Sequence, residues 1–132
     1  MKILSNSDEL RKHMRLVNKT NGKVLASKVE FADTFWRRFR GLMMKQNFWR
    51  GQALLFKLAK PGKYSIHMFF VRFPIDLLYL NSNFSVIEAC SALGPWRIHR
   101  PKVKANYIVE LPAGTISLTH TKLGHKLALR KA

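Results

Sequence analysis

The sequence predicts a mainly β protein: a single-domain β-sandwich or partly closed barrel of about seven or eight short strands with one short helix. From residue 52 onward, short apolar runs alternate with turn residues, and each run has the length and the β-branched or aromatic content of a strand. Helical spacing of apolar residues marks one earlier segment. With 132 residues, 47% of them hydrophobic, the chain can close one core, so we expect one domain over residues 1–132.

The first elements follow from turn chemistry and spacing. Residues 1–11 are polar, and we expect a loose arm there. Weak alternation over 14–17, the turn dipeptide Asn21-Gly22 and the alternating stretch 23–31 together predict a first β-hairpin.

A short amphipathic helix is predicted next, because Asp33 or Thr34 can accept the free N–H groups of a first helical turn. The apolar residues at helical spacing are Phe35, Trp36, Phe39 and Leu42.

The remaining strands are predicted from apolar runs between turn signals. The turn signals are Pro61-Gly62, Asn81-Ser82-Asn83, Gly94-Pro95 with a basic loop through Pro101, and Pro112-Ala113-Gly114. The runs are 52–59, 64–71, 75–80, 84–93, 106–111 and 126–129.

The charge balance is extreme: 24 Lys and Arg face 7 Asp and Glu, which gives a formal net charge of +17. Asp33 and Asp76 are consecutive acids, so residues 34–75 carry positive charge without any negative charge. Such a surface attracts polyanions, and we expect nucleic acid or another polyanion as the first partner of a non-enzymatic binding or accessory module.

The single cysteine, Cys90, excludes an internal disulfide framework and points to a reducing compartment. The first ten residues are too polar for a signal peptide, and the longest apolar tract, 68–80, is broken by charges and proline. We therefore expect a cytoplasmic protein without a transmembrane segment; the oligomeric state stays open.

Two acids lie inside apolar strands, Asp76 and Glu110, and each needs a cation or several hydrogen-bond donors to offset its burial. Arg38 or Arg72 is the natural bidentate partner, and a structural ion pair between Arg38 and Asp76 is the favoured interpretation. The alternative makes His67, Asp76 and Glu110 catalytic acid–base candidates in a pocket.

Other chemistry has weaker support in the sequence. No nucleophile elbow, glycine-rich phosphate loop or His-Glu-x-x-His pattern occurs. His120 and His125 have no carboxylate or cysteine nearby in sequence, so we expect no metal site and no cofactor.

Basic residues stand beside aromatic ones in several places, as in proteins that stack single-stranded bases and hold phosphates. We expect Trp49 and Trp96 to be exposed, whereas Trp36 has the spacing of a core residue. The candidate anion-binding residues are Arg37, Arg40, Lys45, Trp49, Arg50, Trp96, Arg97 and Arg100.

The chain resembles the domain of unknown function 192 (DUF192) family over roughly residues 24–129. The motifs that carry this resemblance occur in family order. They are Phe31-Ala32-Asp33-Thr34 with Arg38 and Gly41-Leu42-Met43, then Leu55-Phe56, His67-Met68, Pro74-Ile75-Asp76, and Val109-Glu110-Leu111-Pro112-Ala113-Gly114.

The resemblance implies a compact β-sandwich-like domain with a short helix, and it implies no established activity. Gly124-His125 departs from the Gly-Asp of many members, and many members are exported. The alternative function is an enzyme or small-ligand binder with a pocket of Arg38, His67, Asp76 and Glu110. Convergence of these four side chains on one open concavity would favour it.

Overall fold

The computed structural model describes residues 13–32 and 48–132, which contain nine strands and one short helix. The strands are β1 (Met14–Asn18), β2 (Val24–Phe31), β3 (Gly51–Gly62), β4 (Ile66–His67), β5 (Ile75–Leu80), β6 (Val86–Leu93), β7 (Ile98–His99), β8 (Ala105–Pro112) and β9 (Leu127–Lys131). The helix, α1, is a single turn at Thr115–Leu118.

Seven strands form one sheet in the order β6-β5-β8-β3-β2-β1-β9, and β4 pairs with β7 in a separate two-stranded ribbon. The β2–β3 pair is parallel, and the other pairs are antiparallel. The sheet curls until its two edge strands approach at one corner, where the Val86 N–H donates to the His125 carbonyl at 2.9 Å. The fold is therefore a curled half-barrel, which confirms the predicted mainly β class.

Strand alternation divides the apolar residues into two cores, one on each face of the sheet. The inner core fills the curl and includes Leu16, Leu55, Leu78 and Val109 together with Ile116 of α1. The outer core lies on the opposite face of β3, β5 and β8. It is covered by the segment that carries β4 and includes Phe56, Met68, Leu77, Tyr79 and Ile108.

Most strand predictions are confirmed, including the first hairpin, where Gly22 adopts a φ of +79°. The prediction of a strand over 64–71 is wrong beyond β4, because the chain turns at Phe70, whose φ is +62°. The break predicted at Pro61-Gly62 is also wrong, since β3 continues to Gly62.

Two short elements were not predicted: β7 inside the basic loop, and α1. The predicted arm, 1–11, and the predicted helix after Asp33 lie outside the described residues. In the part of the chain that is described, no helix is long and apolar enough to cross a membrane.

Candidate functional site

Asp76 is 1% exposed on β5, and three backbone N–H groups donate to its carboxylate. The Ala92 N–H donates to Oδ1 at an N···O distance of 2.8 Å, and the N–H groups of Gly114 and Ile116 donate to Oδ2 at 3.1 and 2.9 Å. Several donors therefore offset the cost of burying this carboxylate, as its position in an apolar strand requires.

The donors of Asp76 come from two strained or irregular pieces of backbone. Ala92 has a φ of +53° where the β5–β6 register shifts, and Gly114 has a φ of +94° just before α1. A carboxylate that holds both pieces acts as a structural group, and these three hydrogen bonds all come from backbone N–H groups.

A cationic partner for Asp76 was the favoured interpretation of the sequence. Within residues 13–32 and 48–132, no Lys or Arg forms a salt bridge with Asp76, and Arg72 is exposed. Arg38, the other candidate, lies outside the described residues.

Glu110 lies on the opposite face of the sheet from Asp76. In β8 it pairs with Leu54 of β3 and Leu77 of β5, both of which belong to the outer core, whereas Asp76 pairs with Leu111 of the inner core. Glu110 is 7% exposed, and desolvation raises the pKa of its carboxyl to about 8. It is therefore largely a neutral acid at pH 7.

A group of polar side chains surrounds Tyr79 on this outer face. The Tyr79 hydroxyl is buried without a hydrogen-bond partner, and burial together with nearby acids raises the pKa of this phenol. His99 Nε2 lies 2.7 Å from Glu88 Oε2, and the His99 and Tyr79 rings are 5.6 Å apart. Burial, followed by Asp76 and Glu88, raises the pKa of the Cys90 thiol.

Sequence reasoning missed this polar group around Tyr79. Glu88, Cys90 and His99 each look ordinary in the sequence, and only the β5–β6 pairing and the adjoining β7 bring them together. The one signal available was Glu110, an acid in an apolar run.

The β4–β7 ribbon and the adjoining turns carry a row of rings: His67, Phe69, Trp96 and Phe70, here called the aromatic row. Neighbouring ring centroids are 5.0 Å apart for His67 and Phe69, 6.0 Å for Phe69 and Trp96, and 4.9 Å for Trp96 and Phe70. Trp96 is 60% exposed and Phe70 59% exposed. The row is therefore an open apolar surface, unlike the core aromatics.

The backbone holds Phe70 and Trp96 in an unfavourable conformation. Phe70 and Trp96 have φ values of +62° and +65°, which bulky residues rarely adopt. The Trp96 N–H donates to the Met68 carbonyl at 2.8 Å, and the Met68 N–H donates to the Arg97 carbonyl at 2.7 Å. Exposure distinguishes these two rings from Phe84, which has a φ of +61° but packs against the inner core.

Cations accompany the aromatic row along the chain. Arg72 follows Phe70, Arg97 follows Trp96, and Arg100 and Lys102 follow β7; all four are exposed. Trp49 is 65% exposed beside the exposed Arg50, next to Phe48, whose ring lies 6.1 Å from that of Phe73. The remaining candidate anion-binding residues, Arg37, Arg40 and Lys45, lie outside the described residues.

The candidate catalytic residues are not gathered into one pocket. Asp76 and Glu110 point to opposite faces, and His67 belongs to the exposed aromatic row. The described part of the chain also contains no group of three His, Cys, Asp or Glu side chains that could hold a metal ion.

Residues 16–129 match the model of the DUF192 family, which is described as Uncharacterized ACR, COG1430. Curated proteins named UPF0127 are similar. The one from Thermococcus sibiricus is 42% identical over 114 residues, 85% of this chain and 72% of that protein. The one from Pyrococcus furiosus is 39% identical over 114 residues, 85% of this chain and 95% of that protein.

Two crystal structures share the fold. A protein of Sinorhizobium meliloti, provisionally described as a transcription regulator, superimposes with a TM-score of 0.78 at 23% identity, over 87% of this chain and 90% of its own. A protein of unknown function from Novosphingobium aromaticivorans superimposes with a TM-score of 0.77 at 16% identity, over 87% of this chain and 82% of its own.

Asp76→Asn should destabilise the fold by about 2–4 kcal/mol, because the amide that replaces one carboxylate oxygen faces N–H donors and cannot accept their bonds. Urea unfolding monitored by circular dichroism would measure this loss. Glu88→Gln is the comparison, because the Glu88 side chain is only partly buried. This variant should lose less than half as much free energy of unfolding as Asp76→Asn. Equal losses in the two variants would contradict the structural role of Asp76.

Glu110→Gln should remove a pH dependence of stability. Because the pKa of Glu110 in the folded chain is about 8, above its ordinary 4.5, the folded state keeps a proton that the unfolded state releases. The free energy of unfolding of the parent should therefore fall as pH rises between these values, by at most about 5 kcal/mol.

Unfolding curves at pH 5 and pH 9 would measure the difference between Glu110→Gln and the parent. The two should be similar at pH 5, and the variant should be more stable at pH 9. A constant difference across this range would show that Glu110 titrates normally.

Proposed function

Because this chain belongs to the DUF192 family, Uncharacterized ACR, which supplies no activity, we propose its function from its own surface: a non-enzymatic module that binds single-stranded nucleic acid on the aromatic row. The observation that carries the proposal is the pair of exposed rings, Trp96 and Phe70, which the backbone holds in left-handed conformations between cationic residues.

The exposed rings fit the chemistry of unpaired bases. A base stacked on an aromatic side chain contributes about 1–3 kcal/mol, and the contact tolerates any base because each has a π face. Trp96 and Phe70 meet edge to face at 61°, so an incoming base can lie on one ring while the other borders it. In double-stranded nucleic acid the bases are already stacked on one another, so their faces are not available to these rings.

The strain at Phe70 and Trp96 supports the same conclusion. A left-handed conformation costs free energy, and at Phe70 and Trp96 this cost holds exposed rings, whereas at Phe84 it holds a ring packed against the inner core. Rings already held in place by the Met68 and Arg97 backbone contacts lose little further entropy when a ligand binds.

Phosphate contacts would come from the cations around the aromatic row. Between Glu88 and Glu110 the sequence contains no acid but carries Arg97, Arg100 and Lys102. The Glu88 carboxylate is engaged by His99 and by the Lys102 N–H, at 2.7 and 2.8 Å, so it does not pair with these arginines. Glu88 therefore does not compete with phosphate groups for these cations.

The alternative, an enzyme or small-ligand pocket of Arg38, His67, Asp76 and Glu110, has less support. Asp76 uses its carboxylate on backbone N–H groups and faces away from Glu110. We therefore propose a single function.

Trp96→Ala should weaken binding of a fluorescein-labelled single strand of about 12 nucleotides by roughly tenfold, measured by fluorescence anisotropy at about 50 mM salt. Leu123→Ala is the matched control, because Leu123 is 64% exposed in a different turn and should leave the affinity unchanged. The duplex of the same sequence should bind more weakly than the single strand.

The salt dependence separates the cationic contribution. Affinity should fall by at least about tenfold between roughly 50 and 200 mM salt, and Arg97→Gln should reduce the salt slope by about 1. No detectable binding at low salt, or equal affinity of the Trp96 and Leu123 variants, would rule the proposal out.

A further inference from the structure

We propose a second anion site, separate from the aromatic row: the outer face of β1 and β9 binds a phosphate group between Arg15 and Arg130. This site, here called the basic groove, lies on the edge strand β9 and its neighbour β1 in the seven-stranded sheet, and described residues line it. Its existence does not depend on the proposed binding of nucleic acid to the aromatic row.

Strand register places the two arginines directly opposite each other. Arg15 of β1 pairs with Arg130 of β9, and the next pair, Leu16 with Leu129, turns inward to the core. Cross-strand partners share a face, so both guanidinium groups leave the sheet on its outer side. Like charges in this arrangement repel, and a bound anion would turn that repulsion into two attractive contacts.

Arg15 also has an unused hydrogen-bond donor. Its Nε is buried and has no hydrogen-bond partner, although the side chain as a whole is only partly buried. A charged donor without an acceptor is costly. An anion at this position would supply the missing acceptor, because Nε–H and a terminal N–H of one guanidinium can bind two oxygens of one phosphate.

The groove has room for such a ligand and carries only positive charge. Its volume is about 620 Å³, and none of its lining residues is acidic. Lys19 and Lys131 also line the groove. Val17 and Gly22 form an apolar part of its wall, and no atom outside the adjoining residues of the chain lies within 4 Å of the position of a Cβ at Gly22. Asn18 contributes only backbone, because its side chain is buried and occupied by Thr121, His125 and the turn that follows β1.

These features favour a phosphate group over a single carboxylate. At pH 7 a phosphate monoester carries about −1.5 to −2 charges and three acceptor oxygens, enough to face two guanidinium groups at once. The phosphate can belong to a small phosphomonoester or to a phosphodiester of a nucleic-acid strand, and the two sources share this chemistry.

The test uses the full chain, labelled with ¹⁵N, and inorganic phosphate as the probe. Phosphate added at constant ionic strength, with chloride as the matched salt, should shift the backbone amide signals of residues 15–19 and 128–131 saturably. Arg15→Gln and Arg130→Gln should each weaken phosphate binding at least about tenfold. Arg97→Gln and Trp96→Ala are controls at the aromatic row. Both variants should leave phosphate binding at the basic groove unchanged.

Thermal unfolding gives a second readout. Phosphate should raise the melting temperature of the parent more than chloride does, because it binds only the folded state, and this rise should vanish in Arg15→Gln. Adenosine monophosphate and an oligonucleotide without terminal phosphate, each competing with inorganic phosphate, would distinguish the monoester source from the diester source.

Amide shifts spread evenly over the basic surface, or equal responses to phosphate and chloride, would overturn the proposal. Loss of oligonucleotide binding in Trp96→Ala with phosphate shifts intact would show that the two sites are independent. Loss of the phosphate shifts in that variant would instead contradict a separate basic groove.

Discussion

The buried carboxylate of Asp76 is the interaction on which the rest of the structure depends. It joins β5 to a residue 16 positions later, Ala92, and to residues 38 and 40 positions later, Gly114 and Ile116. These three bonds hold the irregular end of β6 and the first turn of α1 against the central strand. Without the acceptor, three N–H groups near the core would lose their partner, and Ile116 would lose the contact that seats it in the inner core.

The period of a β-strand explains why the two strand acids have different properties. Asp76 pairs with Leu111, and Glu110 pairs with Leu77, so the two side chains leave the sheet on opposite faces. On the inner face the backbone of α1 and β6 supplies donors. On the outer face Glu110 meets apolar neighbours and is desolvated, which explains its raised pKa and its neutral form beside the unpartnered hydroxyl of Tyr79.

Much of the fold follows from local patterns, whereas the site depends on long-range contacts. Runs such as 75–80 predict strands because they are mostly apolar, have the length of a strand and are bounded by turn residues. The sequence showed that Asp76 needs a partner. It could not show that the partners are backbone N–H groups 16 to 40 residues away, because no residue pattern marks such donors. The β4–β7 ribbon has two residues per strand, too few for a periodic signal, so the aromatic row around it could not be predicted as a unit. The sequence did predict an exposed Trp96, because this ring stands beside basic residues and lacks the helical spacing that marks Trp36 as a core residue.

The way in which the acids are used explains why so much positive charge remains on the surface. In the part of the chain that the structure describes, Asp76 is occupied by backbone N–H groups, Glu88 by His99 and a backbone N–H, and Glu110 is buried in the outer core. None of these three carboxylates forms a salt bridge with a described Lys or Arg. These three carboxylates therefore do not neutralise the arginines beside the aromatic row or those of the basic groove. In solution the counterions of these arginines are mobile salt, and a polyanion that replaces those ions gains the entropy of their release, so the charge favours an anionic partner without contributing to the fold.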